Sequence, residues 1–156
     1  MKRYSNIYNA IISRDNIKIA INNAMKGKHH YKEVIRIKAN LQKYINDLHT
    51  LLCNDLFKNS EYVIFKKDTG AKIREIYKLP FYPDRVVHHC IVQVLMPIWM
   101  KILIRDTYST IPNRGIHDGL KRIKTALKDQ QNTIYTLKFD IKKYYPSVNH
   151  DVLLTI

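Results

Sequence analysis

The stretch CIVQVLMPIWMKILI, residues 90–104, is the most apolar part of the chain and restricts its fold more than any other feature. Just ahead of it, Leu79-Pro80-Phe81-Tyr82-Pro83 stops any strand, because each proline removes a backbone donor and restricts the residue before it. Asp84 then stands where a helix cap is expected. From there Val86, Val87, Cys90, Ile91, Val94, Leu95, Ile98, Trp99, Ile102 and Leu103 recur at helical spacing. They predict a long helix buried along one stripe, with a kink or break at Pro97. Lys101 and Pro97 interrupt the run, which is short of the roughly 20 apolar residues of a membrane span. The expectation is a soluble, cytoplasmic protein with no membrane partner.

The flanking sequence supplies elements to cover that helix. Ser13 before Arg-Asp-Asn reads as a helix start. Ile17, Ala20, Ile21 and Ala24 share one face before Gly27 ends the helix. Asn40 is placed to cap a second helix carrying Leu41, Tyr44, Ile45, Leu48, Leu51 and Leu52. EYVIF and KIREIYKL are rich in β-branched and aromatic residues and flank KKDTGA, which predicts a hairpin with a Gly-containing turn. After the loop YSTIPNRG, a helix from about His117 is predicted to turn Ile116, Leu120, Ile123 and Leu127 inward, with Lys121, Lys124 and Lys128 on a separate stripe. Tyr135, Leu137 and Phe139 alternate as a strand does. The fold class is α+β. Residues 1–60 form a helical region, 61–132 a hairpin with helices, and 133–156 a strand with the start of a helix.

Charge narrows the partner. Among 156 residues there are 27 Lys and Arg against 13 Asp and Glu, a formal net charge of +14. The cations run along the whole chain rather than in one tail, so a broad basic surface on a folded body is expected. Such a surface favours association with nucleic acid or an acidic surface, the plain alternative being a basic but otherwise ordinary soluble protein. The two cysteines, Cys53 and Cys90, form no CxxC and imply no disulfide framework. The seven histidines make no zinc-ligand spacing, and His117 and His150 fit capping or packing. Ser109 and Ser147 lack a partner arrangement for nucleophilic catalysis. No phosphate-binding glycine motif occurs.

If Tyr135, Leu137 and Phe139 face a core, Asp140 emerges at the strand end on the other side. There it can hold a hard cation, or it can make a turn or cap as strand-end Asp residues do. The block DIKKYYPSVNH, Asp140–His150, resembles the first catalytic motif of bacterial reverse transcriptases. KKDTGAKIREIYKLPFYPDRVVHH resembles the fingers hairpin and following helix of that family, and RDTYSTIPNRGIHDGLKRIK its next block, in the same order. The YPSVNHD ending and the IPNRGIHDGLKR block are most similar to enzymes of diversity-generating retroelements; retrons and group II introns are near relatives.

The resemblance implies the helical N-terminus, fingers and first palm segment of a right-hand polymerase that copies an RNA template into cDNA by two-metal nucleotidyl transfer. Asp140 would bind both magnesium ions, and the Ile141 carbonyl would add a ligand. Tyr145 would be the gate against a ribose 2′-hydroxyl, or a core aromatic. Lys72 and Arg74 would clamp the triphosphate, with Lys66 or Lys67 as alternatives because the hairpin register is open; a solvated strand face is the plain alternative for each lysine. Arg85 would lie near the same pocket or pair with Asp84. Arg114, Lys121 and Lys124 would contact the template backbone. The partners implied are an RNA template and primer, deoxynucleoside triphosphates and a small basic accessory protein. Asp151 is the one acidic residue after Asp140, and no Tyr-x-Asp-Asp follows. The chain is therefore expected to need a missing C-terminal palm and thumb, and to be inactive alone. The alternative is a non-catalytic RNA-binding module derived from a reverse transcriptase.

Overall fold

A computed structural model describes residues 3–70, 72–142 and 144–155. Ala71 of the expected turn and Lys143 of the Asp140 block lie outside the described residues. The chain divides into two compact units, Met1–Leu103 and Ile104–Ile156. The architecture is α+β, helices with one two-stranded antiparallel sheet among the described residues.

The first unit holds the core. Helices α1 (Ile7–Ile12), α2 (Arg14–Met25), α3 (Lys32–Ala39) and α4 (Leu41–Cys53) precede strands β1 (Val63–Asp68) and β2 (Ile73–Lys78), and α5 (Val86–Trp99) completes the unit. Ser13 Oγ accepts from the Asn16 N–H at 3.3 Å, the cap expected from its type. On α2, Ile17, Ala20, Ile21 and Ala24 are all buried, and the helix lies along α5. Gly27 takes a positive φ of 71°, which lets the chain leave the helix. Ile37 of α3 and Ile45, Leu48 and Leu52 of α4 close the same core. Asn40 flanks α4, but its side chain makes no cap bond.

Polar side chains fix how α1, α2 and α5 meet. Asn16 Nδ2 donates to the carbonyls of Ile11 at 2.8 Å and Cys90 at 3.1 Å. Gln93 Nε2 donates to the Asn16 carbonyl at 2.7 Å and also reaches Asn16 Oδ1. Asn23 Nδ2 donates to Gln93 Oε1 at 3.3 Å. A connected network of this kind favours one helix register over its neighbours.

Asp84 departs from the expected cap. Its residue is 0% exposed, and its two oxygens accept from the Ser60 N–H at 2.9 Å and the Ser60 hydroxyl at 2.7 Å. Ser60 precedes β1 and Asp84 follows β2, so the contact clasps both feet of the hairpin. The turn between β2 and α5, Phe81–Arg85, is kinked at an extended Tyr82 (φ −125°, ψ 135°). Tyr82 ties that turn to two helices: its N–H donates to Glu33 Oε1 at 3.2 Å and its hydroxyl to the Tyr44 carbonyl at 3.1 Å. Burial first, then Asp47 and Tyr44, push this phenol up to about 12. The predicted α5 stripe is buried at Val86, Val87 and Cys90, but Trp99 at the helix end is exposed, as are Ile102 and Leu103 beyond it. Burial likewise pushes the Cys90 thiol up to about 12, so Cys90 packs as a small apolar residue. No helix among the described residues is long and apolar enough to cross a membrane.

The second unit carries α6 (Ile116–Ala126), the single turn α7 (Tyr144–Ser147) and α8 (His150–Thr155). Two expectations fail here. Ile116, Leu120, Ile123 and Leu127 are exposed rather than inward. The segment around Tyr135, Leu137 and Phe139 forms no strand, and Tyr135 is 92% exposed. Alternation creates a strand only where a neighbour takes up the backbone hydrogen bonds, and no described segment pairs with this one.

Candidate nucleic-acid interface

The hairpin register decides which cations stand together. Lys67 pairs with Arg74, Phe65 with Ile76 and Val63 with Lys78, while Lys66 pairs with Glu75 on the opposite face. Cross-strand partners share a face, so Lys67 and Arg74 project side by side next to an apolar pair. Two like charges directly opposite weaken a hairpin by themselves, and an anion bound between them removes that cost. Lys72 lies one residue before β2, exposed, and its carbonyl accepts from the Thr69 N–H at 3.2 Å and the Thr69 hydroxyl at 2.8 Å. Asp68 Oδ1 accepts from the Gly70 N–H at 2.8 Å, and Gly70 takes φ 77°, a conformation that needs glycine in so tight a turn. Of the three lysines weighed against Arg74, the register brings Lys67 to it.

In the second unit Lys121 and Lys124 are exposed on α6. Arg114 is half-buried, and its guanidinium donates to the Ile104 carbonyl at 3.1 Å, clipping the loop before α6. Arg105 pairs with Asp118 at 3.0 Å, and Arg122 with Asp106 at 3.2 Å. Asp106 also accepts from the Tyr108 hydroxyl at 2.7 Å. That bond first, aided by Arg122, holds the Asp106 carboxyl below the usual range, and the same bond raises the Tyr108 phenol. The Tyr108 ring covers Gly119 so closely that a Cβ there would stand 3.2 Å from its Cγ. Gly119→Ala is expected to shift the Tyr108 ring by a few tenths of an ångström and weaken its bond to Asp106. The measurable result is an Asp106 carboxyl that titrates closer to its ordinary range in an NMR pH series, with α6 intact by circular dichroism.

Asp140 is exposed in an irregular segment, and Ile141 is 67% exposed beside it. Tyr145 lies on α7, 85% exposed, its ring 5.2 Å from that of Tyr144 and edge-on to it. Asn149 Oδ1 caps α8 by accepting from the N–H groups of Asp151 at 2.9 Å and Val152 at 3.2 Å. No group of three or more His, Cys, Asp or Glu suited to a metal is assembled among the described residues. One carboxylate and one carbonyl fall short of two magnesium shells of about six oxygens each.

Three features escaped the sequence reading: in the first unit the Lys67–Arg74 pairing and the Ser60–Asp84 clasp, and in the second the Tyr108–Gly119 contact. Only the last left a signal, a glycine within a helical pattern, which can mark a close approach.

No family model matches the chain. Over 93 residues it is 24% identical to Protein YkfC of Escherichia coli (strain K12), covering 58% of this chain and 24% of that protein. The matched stretch thus spans about a quarter of the length of that curated relative.

Proposed function

We propose that this chain provides the fingers and first catalytic block of an RNA-directed DNA polymerase, a protein that extends a primer on an RNA template with deoxynucleoside triphosphates. The observation that carries the reading is the hairpin face bearing Lys67 beside Arg74, exposed and next to the apolar pair Phe65 and Ile76. Arg and Lys projecting together can grip phosphate oxygens with charge and several donors. The ordered blocks ending in DIKKYYPSVNH support the same reading from the sequence side. In it Asp140 is one carboxylate of the metal centre, Ile141 supplies a carbonyl, Tyr145 reads the sugar, and Lys121 and Lys124 follow the template backbone. Lys72 supplements the hairpin's grip on phosphate from the loop.

Salt-dependent binding to single-stranded RNA tests the reading. Each phosphate contact on a single strand contributes about 0.7 to the slope of log affinity against log salt. The double variant Lys67→Ala/Arg74→Ala is expected to weaken binding alike for all sequences and to lower the slope by about 1.4. An unchanged slope and affinity would remove the hairpin from the interface. The same cations would serve a non-catalytic RNA-binding module, and template-dependent primer extension separates the two.

A further inference from the structure

Three adjoining depressions at the root of the hairpin share Arg85. One of about 410 Å³ lies among Lys28, Tyr31, Glu33, Lys78 and Arg85. Another, of about 490 Å³, takes in Tyr62, Phe65, Tyr77 and Lys78. The third, of about 310 Å³, is lined by Arg85, His88, His89 and Val92. The cations come from separate places in the first unit: Lys28 follows α2, Lys78 ends β2 and Arg85 closes the kinked turn, with the imidazoles of His88 and His89 beside them in the first turn of α5. Of the nearby acids, Glu33 accepts from the Tyr82 N–H and Asp84 is buried against Ser60. Arg85 enters no ion pair among the described residues.

The notch therefore concentrates positive charge beside aromatic rings, the combination that holds a single strand through phosphates and stacked bases. His89 is half-buried within it. Its imidazole is held below the ordinary range by burial first, then by Arg85, Lys28 and His88. A phosphate placed among these cations offsets their repulsion and restores the charged imidazole.

We propose that this notch binds a phosphodiester of a single-stranded polynucleotide, and that His89 takes up a proton from solvent as the phosphate enters, so that the grip tightens as pH falls. The inference rests on the polynucleotide-binding reading above and adds to it a second contact point with its own control. The sign follows from linkage: binding that takes up a proton strengthens with falling pH, by at most about tenfold per pH unit for one proton.

The test is fluorescence anisotropy with a labelled oligouridylate of about 12 nucleotides, a length within the usual single-strand site range. It is titrated at fixed ionic strength from about pH 8 to about pH 5.5, bracketing the imidazole range. Wild type is expected to bind more tightly as pH falls. His89→Gln is expected to flatten most of that dependence, Lys28→Ala to weaken binding at every pH, and Lys67→Ala/Arg74→Ala to lose affinity while keeping the pH slope. A full pH slope in His89→Gln overturns the proposal. So does equal competition by inorganic tripolyphosphate at the same phosphate concentration, which assigns the notch to a small ligand. Absence of RNA binding at any pH removes the polynucleotide reading itself, whereas RNA binding with a slope independent of His89 removes only this inference.

Discussion

Asp84→Ala is expected to lower folding stability by about 2–4 kcal/mol, seen as an earlier urea midpoint with the slope unchanged. The side chain is fully buried and accepts both hydrogen bonds that Ser60 offers it. Truncation leaves the Ser60 N–H and hydroxyl without their partner in a partly buried site. Each unmet donor costs about 1–3 kcal/mol. Because Ser60 and Asp84 stand at the two feet of the hairpin, the same change loosens the ribbon that carries Lys67 and Arg74. Asp84→Asn retains an acceptor oxygen and is expected to cost about 1 kcal/mol. A shift within about 0.5 kcal/mol for Asp84→Ala, the range of an ordinary surface substitution, contradicts the assigned role.

The clasp also shows what local pattern cannot reach. An Asp after Pro-Phe-Tyr-Pro and ahead of an apolar helix satisfies every local rule for a cap. What decides otherwise is Ser60, 24 residues earlier and brought close by the hairpin between them. Periodicity succeeded where one face meets one core: Ile17, Ala20, Ile21 and Ala24 were readable because α2 buries a single stripe against α5. The hairpin was readable from β-branched runs around a Gly turn, but its register was not. That register depends on Asp68 facing Ile73 across the loop, and it alone separates Lys67 from Lys66 as the partner of Arg74.

Beyond Leu103 the same periodicities misled. Leu120 and Ile123 lie on a helix as expected, yet both are exposed, because helical spacing specifies a face and not what covers it. Tyr135, Leu137 and Phe139 alternate, yet an extended segment without a neighbour has no ladder to join. The candidate site divides in the same way. Its cations were legible as residue types, their grouping required the register, and Asp140 remains a reading drawn from the block around it.

The largest functional effect is expected at Asp140. In the protein expressed from its natural gene, Asp140→Asn is expected to cut RNA-templated primer extension by about 10²–10³-fold, the scale of removing one group aimed at developing charge. The variant keeps the size of the side chain and leaves the core of the first unit untouched, since Asp140 is exposed in the second. Its urea midpoint and its RNA affinity should therefore match wild type, separating lost chemistry from lost folding or binding.

Template-dependent extension with magnesium and deoxynucleoside triphosphates is accordingly the most direct measurement. The account predicts cDNA product from the natural gene product and its loss in Asp140→Asn with RNA binding retained. Either no template-dependent product from the wild type, or undiminished product from Asp140→Asn, would contradict it.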